Sequence, residues 1–444
     1  MSCPNLQAPR RVFVATVAVV ALVVTACGGS GDPSTASSTG SSPTDSSAAP
    51  GPDEGAVDLG PTRAIDPDDA PLADANGPGP AVDGGLYDVP DPLPAGAPGE
   101  VIASEPLTDL HPSLGDISGQ RFLYHSTDAT GADIAVSGAV FQPPGSPPAG
   151  GWPVVAWAHG TIGVADTCAP SRWSDFYEYG DYLSALTGHG FVVVATDYEG
   201  LGTPGDHPYL DAEAEARGVV DSVKAVHHLI PDVTDAWVSI GHSQGGQAAL
   251  VAGQYAQDPD LPLAGVVAIA PASSLELLPL ALTGSPEQGY LAFAAAGIVA
   301  TDPTVELADL MGPDALAVSE VLDHGCWYEV MAAFVDVDPA QLSPVTDAGR
   351  AAVDAYLGRN EPATSPIDAP VLLVQGGADD TVPEAITGLL RDRLCGHGTV
   401  TAMEVYAGLG HDAVLVPSLD DTVAWIQARF AGTAPADGCS TGAG

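Results

Sequence analysis

Apolar residues along the chain follow two repeating patterns. The first is a short, almost unbroken apolar run bounded by Gly, Pro, Asp or Thr, seen at 154–157, 191–195, 237–240, 265–270, 371–375 and 400–406. Runs of that length rich in Val and Ile are the mark of strands buried on both faces. The second is a helical spacing of apolar residues, seen at 175–189, 212–229, 384–394 and 418–430. The two patterns alternate, which predicts an α/β fold: a mostly parallel sheet with helices on both faces. Earlier in the chain, 120–127 and 134–142 read as strands joined by Asp128-Ala129-Thr130-Gly131-Ala132. That hairpin adds an antiparallel edge to the sheet.

One interval breaks the alternation. About one hundred residues between Ala270 and Val371 contain apolar helical stretches, such as 290–300, 305–310 and 329–335, and no convincing strand. Only a short crossover is needed there, so 272–366 is expected to be an inserted helical cap. Its apolar residues are mostly Ala, Leu and Val, a surface suited to an alkyl chain, although the same residues would also pack the cap's own core.

The first 85 residues have neither pattern. Arg10-Arg11 precede an apolar run from Val12 to Ala26, short for a membrane span and right for an export signal at 1–26. The arginine pair allows twin-arginine export as well as the ordinary route. Val24-Thr25-Ala26-Cys27 followed by Gly28-Gly29-Ser30 resembles the bacterial lipobox. That resemblance implies cleavage before Cys27 and lipidation of that residue, placing the protein on the outer face of the cell membrane. A plain secretory signal with an incidental cysteine is the alternative. Residues 27–85 are dominated by Ser, Thr, Gly, Pro, Ala and Asp and cannot offset chain entropy by burial, so they read as a disordered tether. The folded domain is expected over 86–435, with a tail at 436–444.

Charge narrows the partners. Asp and Glu number 57 against 12 Lys and Arg, with Lys224 the only lysine. A surface so acidic repels nucleic acid.

The candidate chemistry centres on Gly241-His242-Ser243-Gln244-Gly245. A buried strand before it and small residues after it make this a sharp strand-to-helix turn that presents a serine hydroxyl. Ser243 is therefore the expected nucleophile. A serine needs a base, and of eleven histidines His411 lies in a glycine-rich loop after the last strand, where this architecture puts one. The base needs an orienting acid. Asp379 stands at the end of the 371–375 strand, with Asp380 as its rival and helix capping by Asp380 or Thr381 as the other use of the loop. The oxyanion calls for positioned N–H groups. The backbone of Gln244 is one, and the second is expected from Gly160-Thr161. No residue spacing asks for a metal, and the proposed chemistry needs no cofactor.

His159-Gly160-Thr161, Thr167-Cys168-Ala169-Pro170-Ser171, Asp197-Tyr198-Glu199-Gly200-Leu201-Gly202 and the segment at Ser243 together resemble the secretory lipase family of α/β-hydrolases, the fungal lipase A type in its bacterial branch. The resemblance spans about 100–432. It implies a Ser243, Asp379, His411 triad, a helical lid over an acyl tunnel, and hydrolysis of medium- or long-chain fatty esters such as triacylglycerols. Fungal members carry an acid near the position aligned with Thr161. Cys168, Cys326, Cys395 and Cys439 allow three pairings. The family implies Cys168 with Cys326 and Cys395 with Cys439. A short-chain esterase or an aminopeptidase would use the same scaffold, and a non-catalytic surface binding protein is the reading from another class. A monomer is expected.

Overall fold

The computed structural model describes residues 85–108, 110–111, 114 and 117–439, with 62–64 as backbone only. The expected export signal, Cys27, almost all of the tether and the last five residues lie outside the described residues. Within the tether span, Thr62–Ala64 forms a three-residue strand, β1.

The elements that follow are β2 Val101–Pro106, β3 Ser118–Thr127, β4 Asp133–Gln142, β5 Trp152–Ala158, α1 Gly180–Gly188, β6 Val192–Thr196, α2 Ala212–Leu229, β7 Val233–His242, α3 Gln244–Tyr255 and β8 Leu263–Ile269. The inserted segment holds α4 Leu278–Leu282, α5 Tyr290–Thr301, α6 Leu307–Leu310, α7 Pro313–Leu316, α8 Trp327–Phe334 and α9 Asp347–Arg359. β9 Val371–Gly376, α10 Glu384–Gly396, β10 Thr401–Ala407 and α11 Leu415–Phe430 complete the domain.

The strands form one sheet in the order β1-β10-β9-β8-β7-β5-β6-β4-β3-β2. Pairing is parallel from β1 to β6 and antiparallel from β6 to β2. Helices α1 and α11 pack on one face around Trp157, Tyr182 and Ile426. Helices α2, α3 and α10 cover the other, where Trp237, Val223 and Leu390 are buried. The sheet is therefore apolar on both sides, as unbroken strand runs require.

Two expectations shift. The helix expected at 175–189 begins at Gly180, because Phe176, Tyr177 and Glu178 all have positive φ, between 53° and 73°, which no right-handed helix can accept. The edge strand β2 has no apolar alternation, and its half-exposed residues gave no signal.

The insertion between β8 and β9 is helical, with a cluster of its own around Phe293, Ile298 and Phe334. Cys168–Cys326 and Cys395–Cys439 are both disulfide-bonded. The first ties the loop after β5 to the insertion, reinforced by the Trp327 N–H donating to the Ile162 carbonyl at 2.7 Å. No helix among the described residues is long and apolar enough to cross a membrane.

Candidate active site

β7 ends at His242 and α3 starts at Gln244, leaving Ser243 alone at the corner with φ 57° and ψ −118°. A non-glycine residue persists in such a conformation only when its surroundings hold it there. The Ser243 N–H donates to the Ile269 carbonyl at 2.9 Å, and its own carbonyl accepts from Ala272 at 3.0 Å. The flanking glycines are required by space: a Cβ on Gly241 would lie 2.0 Å from the Gly245 carbonyl oxygen, and one on Gly245 would lie 1.9 Å from that of Ala158. Ser243 is 7% exposed, beneath the insertion.

Asp379 and His411 meet. The ring donates from Nδ1 to Asp379 Oδ2 at 2.8 Å. Gln375 Nε2 donates to the same oxygen at 3.0 Å, and the N–H groups of Thr381 and Val382 to the other oxygen at 3.0 and 2.8 Å. The carboxylate is thus fixed from four sides. Asp380 is exposed, and neither it nor Thr381 caps α10. Burial alone would lower the pKa of His411. The charge and hydrogen bond of Asp379, with Asp412 and Glu287 nearby, outweigh burial and push it up to about 9. Nε2 of His411 is buried without a hydrogen-bond partner among the described residues, so no bond to the Ser243 hydroxyl is made in this arrangement.

His242, next to Ser243 in the turn, links two loops of the site. Its Nε2 donates to the backbone carbonyl of His411 at 3.1 Å, which leaves Nδ1 to accept from the Tyr179 hydroxyl at 3.0 Å. The Tyr179 oxygen in turn accepts the Gly160 N–H at 3.2 Å. Burial, with the neighbouring His411, lowers His242 to about pKa 4, so it is neutral as this tautomer requires. One chain of hydrogen bonds therefore joins the Gly160 loop to the His411 loop. It also corrects an expectation: the Gly160 N–H is already committed to Tyr179 and is not free to meet an oxyanion. The backbone N–H groups of Gln244 and Thr161 make no hydrogen bond with another described residue. The Thr161 hydroxyl is within 2.8 Å of the Tyr209 hydroxyl.

Behind Gln244 lies a polar cluster that sequence reasoning missed. The Gln244 side-chain amide donates to Glu215 Oε1 at 2.7 Å and to His207 Nε2 at 3.2 Å. Glu215 Oε1 also accepts the Leu210 N–H at 2.9 Å, while its Oε2 is buried without a partner. Burial raises the Glu215 pKa to about 8. Burial lowers His207 to about 4. A signal existed: Glu215 falls on the same apolar stripe of α2 as Val219, Val223 and Val226.

The Asp197-Tyr198-Glu199 motif is a brace. Asp197 accepts from the Ser171 N–H at 2.9 Å and the Ser137 hydroxyl at 2.6 Å, and the Tyr198 hydroxyl donates to the His159 carbonyl at 3.0 Å. These bonds hold the loop after β5 against the sheet.

Over Ser243 and Gln244 sits a cavity of about 50 Å³ walled by Leu275, Leu278, Leu282, Leu291 and Leu357, all from the insertion. Its lining is apolar apart from Ser243, Gln244 and Thr381 and the hydroxyls of Tyr209 and Tyr290. Of possible metal ligands, His242, His411 and Asp412 bring their atoms within 4.8 Å of one another. Three of the four ring nitrogens of these histidines are already engaged: His411 Nδ1 on Asp379, His242 Nε2 on the His411 carbonyl and His242 Nδ1 on Tyr179.

A family model described as secretory lipase matches residues 180–438. No curated protein matches. Among solved structures, Candida antarctica lipase A in its closed state is similar over 81% of this chain and 88% of its own, at 17% identity and TM-score 0.68. A putative hydrolase from Legionella pneumophila aligns over 76% of this chain and 100% of its own, at 18% identity and TM-score 0.65. The rice cell wall degrading esterase LipA from Xanthomonas oryzae aligns over 76% and 99%, at 19% identity and TM-score 0.62.

Proposed function

The chain belongs to the secretory lipase family and is a carboxylic ester hydrolase, and on that premise we propose that Ser243 is its nucleophile, His411 its general base and Asp379 the carboxylate that orients the base. The Ser243 hydroxyl attacks the ester carbonyl while its proton passes to Nε2 of His411. Asp379 stabilises the imidazolium so formed. The N–H groups of Gln244 and Thr161 meet the oxyanion. His411 then protonates the leaving alcohol, and water, activated by the same ring, hydrolyses the acyl-enzyme.

The observation that carries this reading is the state of His411: one nitrogen held by Asp379 and the other buried and unpartnered, beside the turn that bears Ser243. A fluorophosphonate probe is expected to modify Ser243 in the folded protein, seen as a mass shift on its peptide. An unlabelled Ser243, with hydrolysis of p-nitrophenyl butyrate undiminished in Ser243→Ala, would remove the mechanism.

The substrate is proposed to be a medium- or long-chain fatty ester, its acyl chain lying among the leucines over Ser243. The volume of that cavity favours a second reading, a short-chain esterase, because about 50 Å³ leaves room for only a short acyl group unless the cap moves. Rates on p-nitrophenyl esters from acetyl to palmitoyl separate the two. A maximum at octanoyl or beyond supports a cap that opens, and a steady fall from acetyl supports the short-chain reading.

We also propose that the chain is organised as an export signal at 1–26, a lipid-anchored tether at 27–85, a hydrolase domain at 86–435 with its cap at 272–366, and a tail. The protein would be a monomer held at the extracytoplasmic face through Cys27. Mass spectrometry of the mature amino terminus tests the anchor: an unmodified terminus that lacks Cys27 overturns it.

A further inference from the structure

Thr381 stands between two carboxylates. Its backbone N–H donates to Asp379 Oδ1 at 3.0 Å, and its hydroxyl donates to Glu287 Oε2 at 2.5 Å. Asp379 is the acid of the proposed triad, whereas Glu287 belongs to the insertion, in the turn between α4 and α5. Among the described residues this is the one hydrogen bond between the insertion and residues 376–383. Thr381 is buried and lines the cavity that holds Ser243.

Glu287 is held from its own side as well. Its N–H donates to the Ser285 hydroxyl at 3.1 Å, and its carbonyl accepts from the Tyr290 N–H at 3.1 Å, where α5 starts. The side chain of its neighbour Gln288 donates to the carbonyls of Phe334 and Val337, both at 2.8 Å, at the end of α8 and just past it. The turn is thus pinned to the rest of the insertion, so whatever the Glu287 carboxylate holds is held by the insertion.

A hydrogen bond alone does not call for an acid at this place. A glutamine oxygen would accept from Thr381 without a charge to desolvate. Here the charge is opposed: burial, with Asp380 and Asp412 nearby, raises the Glu287 pKa, while the Thr381 bond and His411 lower it. His411 is the group that gains from the charge. The groups facing it are the carboxylates of Asp379, Asp412 and Glu287 and the neutral ring of His242, 4.8 Å away between centroids. In the mechanism proposed above that ring becomes cationic when it takes the serine proton, and each of the three carboxylates favours the cation.

We propose that Glu287 is a positioning residue of the hydrolysis: from the insertion it holds the Asp379 loop through the Thr381 hydroxyl and adds its charge to the field that stabilises the His411 imidazolium. The triad is then fully set only with the insertion in place over it. The assignment rests on the triad reading, and no step of the covalent chemistry changes. Glu287 does not line the cavity over Ser243, so it acts through Thr381 and His411 and not on the substrate.

The test is a double-mutant cycle on the full-length protein, read with p-nitrophenyl butyrate. Glu287→Ala and Thr381→Val each remove the bond, and each is expected to lower kcat roughly tenfold, the size of one lost charge-assisted hydrogen bond. KM should change little in Glu287→Ala. The double variant should fall no further than either single one, because the two side chains act as a unit. Glu287→Gln keeps an acceptor for Thr381 and is expected to recover most of the lost kcat. It should also move the rising limb of the kcat/KM profile to lower pH by a fraction of a unit, since one charge that favours the His411 cation is gone. Urea midpoints measured alongside separate these effects from loss of folded protein. Should Glu287→Ala fail to fold, Thr381→Val reads the same bond from its other end. A kcat within about twofold of the unaltered protein in both single variants, or effects that multiply in the double variant, overturns the grip on the Asp379 loop. A limb that Glu287→Gln leaves unmoved overturns the part played by charge. All three results leave the triad reading intact, whereas undiminished hydrolysis in Ser243→Ala would overturn that reading and the role of Glu287 with it.

Discussion

Two buried carboxylates flank the serine turn, and they stand in opposite electrical states. In front, Asp379 faces the ring of His411, and the pair is held by charge as well as by hydrogen bonds. Behind, Glu215 faces only an amide side chain and a backbone N–H. Neither of these partners is cationic, and burial raises its pKa to about 8. The same chemical group at similar depth is therefore a charge that lifts a base in one place and a largely neutral acceptor in the other. The partner, more than the depth, decides the charge. The histidines divide likewise: His411 rises to about 9 beside a carboxylate, whereas His242 and His207, bonded to neutral groups, fall to about 4.

The largest expected effect comes from erasing the front charge. Asp379→Asn keeps the shape but removes the anion, so the His411 pKa should fall and the ring can lose its required tautomer. kcat for p-nitrophenyl butyrate should drop by about 10³- to 10⁴-fold, as it does when other triads lose their acid. A loss below tenfold would mean that Asp379 orients nothing essential, and the contrast between the two carboxylates would vanish.

The next test cuts the chain of hydrogen bonds joining the two loops. Tyr179→Phe removes the hydroxyl shared by Gly160 and His242, leaving a buried N–H and a buried ring nitrogen without partners. Stability should fall by about 1–3 kcal/mol in urea unfolding. The fall in kcat should be larger than the rise in KM, because the His411 loop is held partly through His242. Equal stability and unchanged kcat would show that the His411 loop needs no such support.

How much of this was legible beforehand follows from where the information sits. Buried strands and the serine turn are local: an apolar run, or two glycines whose missing Cβ atoms allow close approach, is visible in ten residues. Ser243, Asp379 and His411 could be singled out as candidates because each sits just beyond a strand end, which the hydrophobic pattern already marks. The Gly160–Tyr179–His242–His411 chain was not legible, because its four members come from separate segments and Tyr179 looks like any tyrosine before a helix. Assigning Gly160 to the oxyanion failed for the same reason, since only coordinates reveal that its N–H is taken. Glu215 was legible and overlooked: an acid on an apolar helical stripe must be neutral or paired.

A smaller effect concerns the front pair's pH response. A base acts when neutral, so kcat/KM should rise with pH, reach half its limit near 9, the pKa of His411, and level off above that. Asp412 adds to the rise in that pKa, so Asp412→Asn should move the limb to lower pH by a fraction of a unit. Stability has its own sign. The folded pKa of His411 lies above the unfolded value, so the pair's contribution is complete below about pH 6.5 and is lost as pH climbs through 9. A limb that Asp412→Asn leaves unmoved would show that this exposed carboxylate is screened from the ring.

The smallest effect on activity should come from behind the turn, at Glu215→Gln. Glutamine keeps the oxygen that accepts from Gln244 and Leu210, so the Gln244 N–H stays in place and kcat should change by less than about threefold. The readout is stability against pH. In the folded protein Glu215 holds its proton up to about pH 8, while in the unfolded chain it releases it near the ordinary glutamate value of 4.5. Between those values the folded state binds the extra proton, so unaltered protein should lose stability as pH rises, by up to about 1.4 kcal/mol per unit. Glutamine does not titrate. The stability of the variant relative to unaltered protein should therefore climb from pH 5 to pH 8, seen as converging or crossing urea midpoints. A constant difference across that range would mean that Glu215 is ionised in the fold, and the two carboxylates would then be alike.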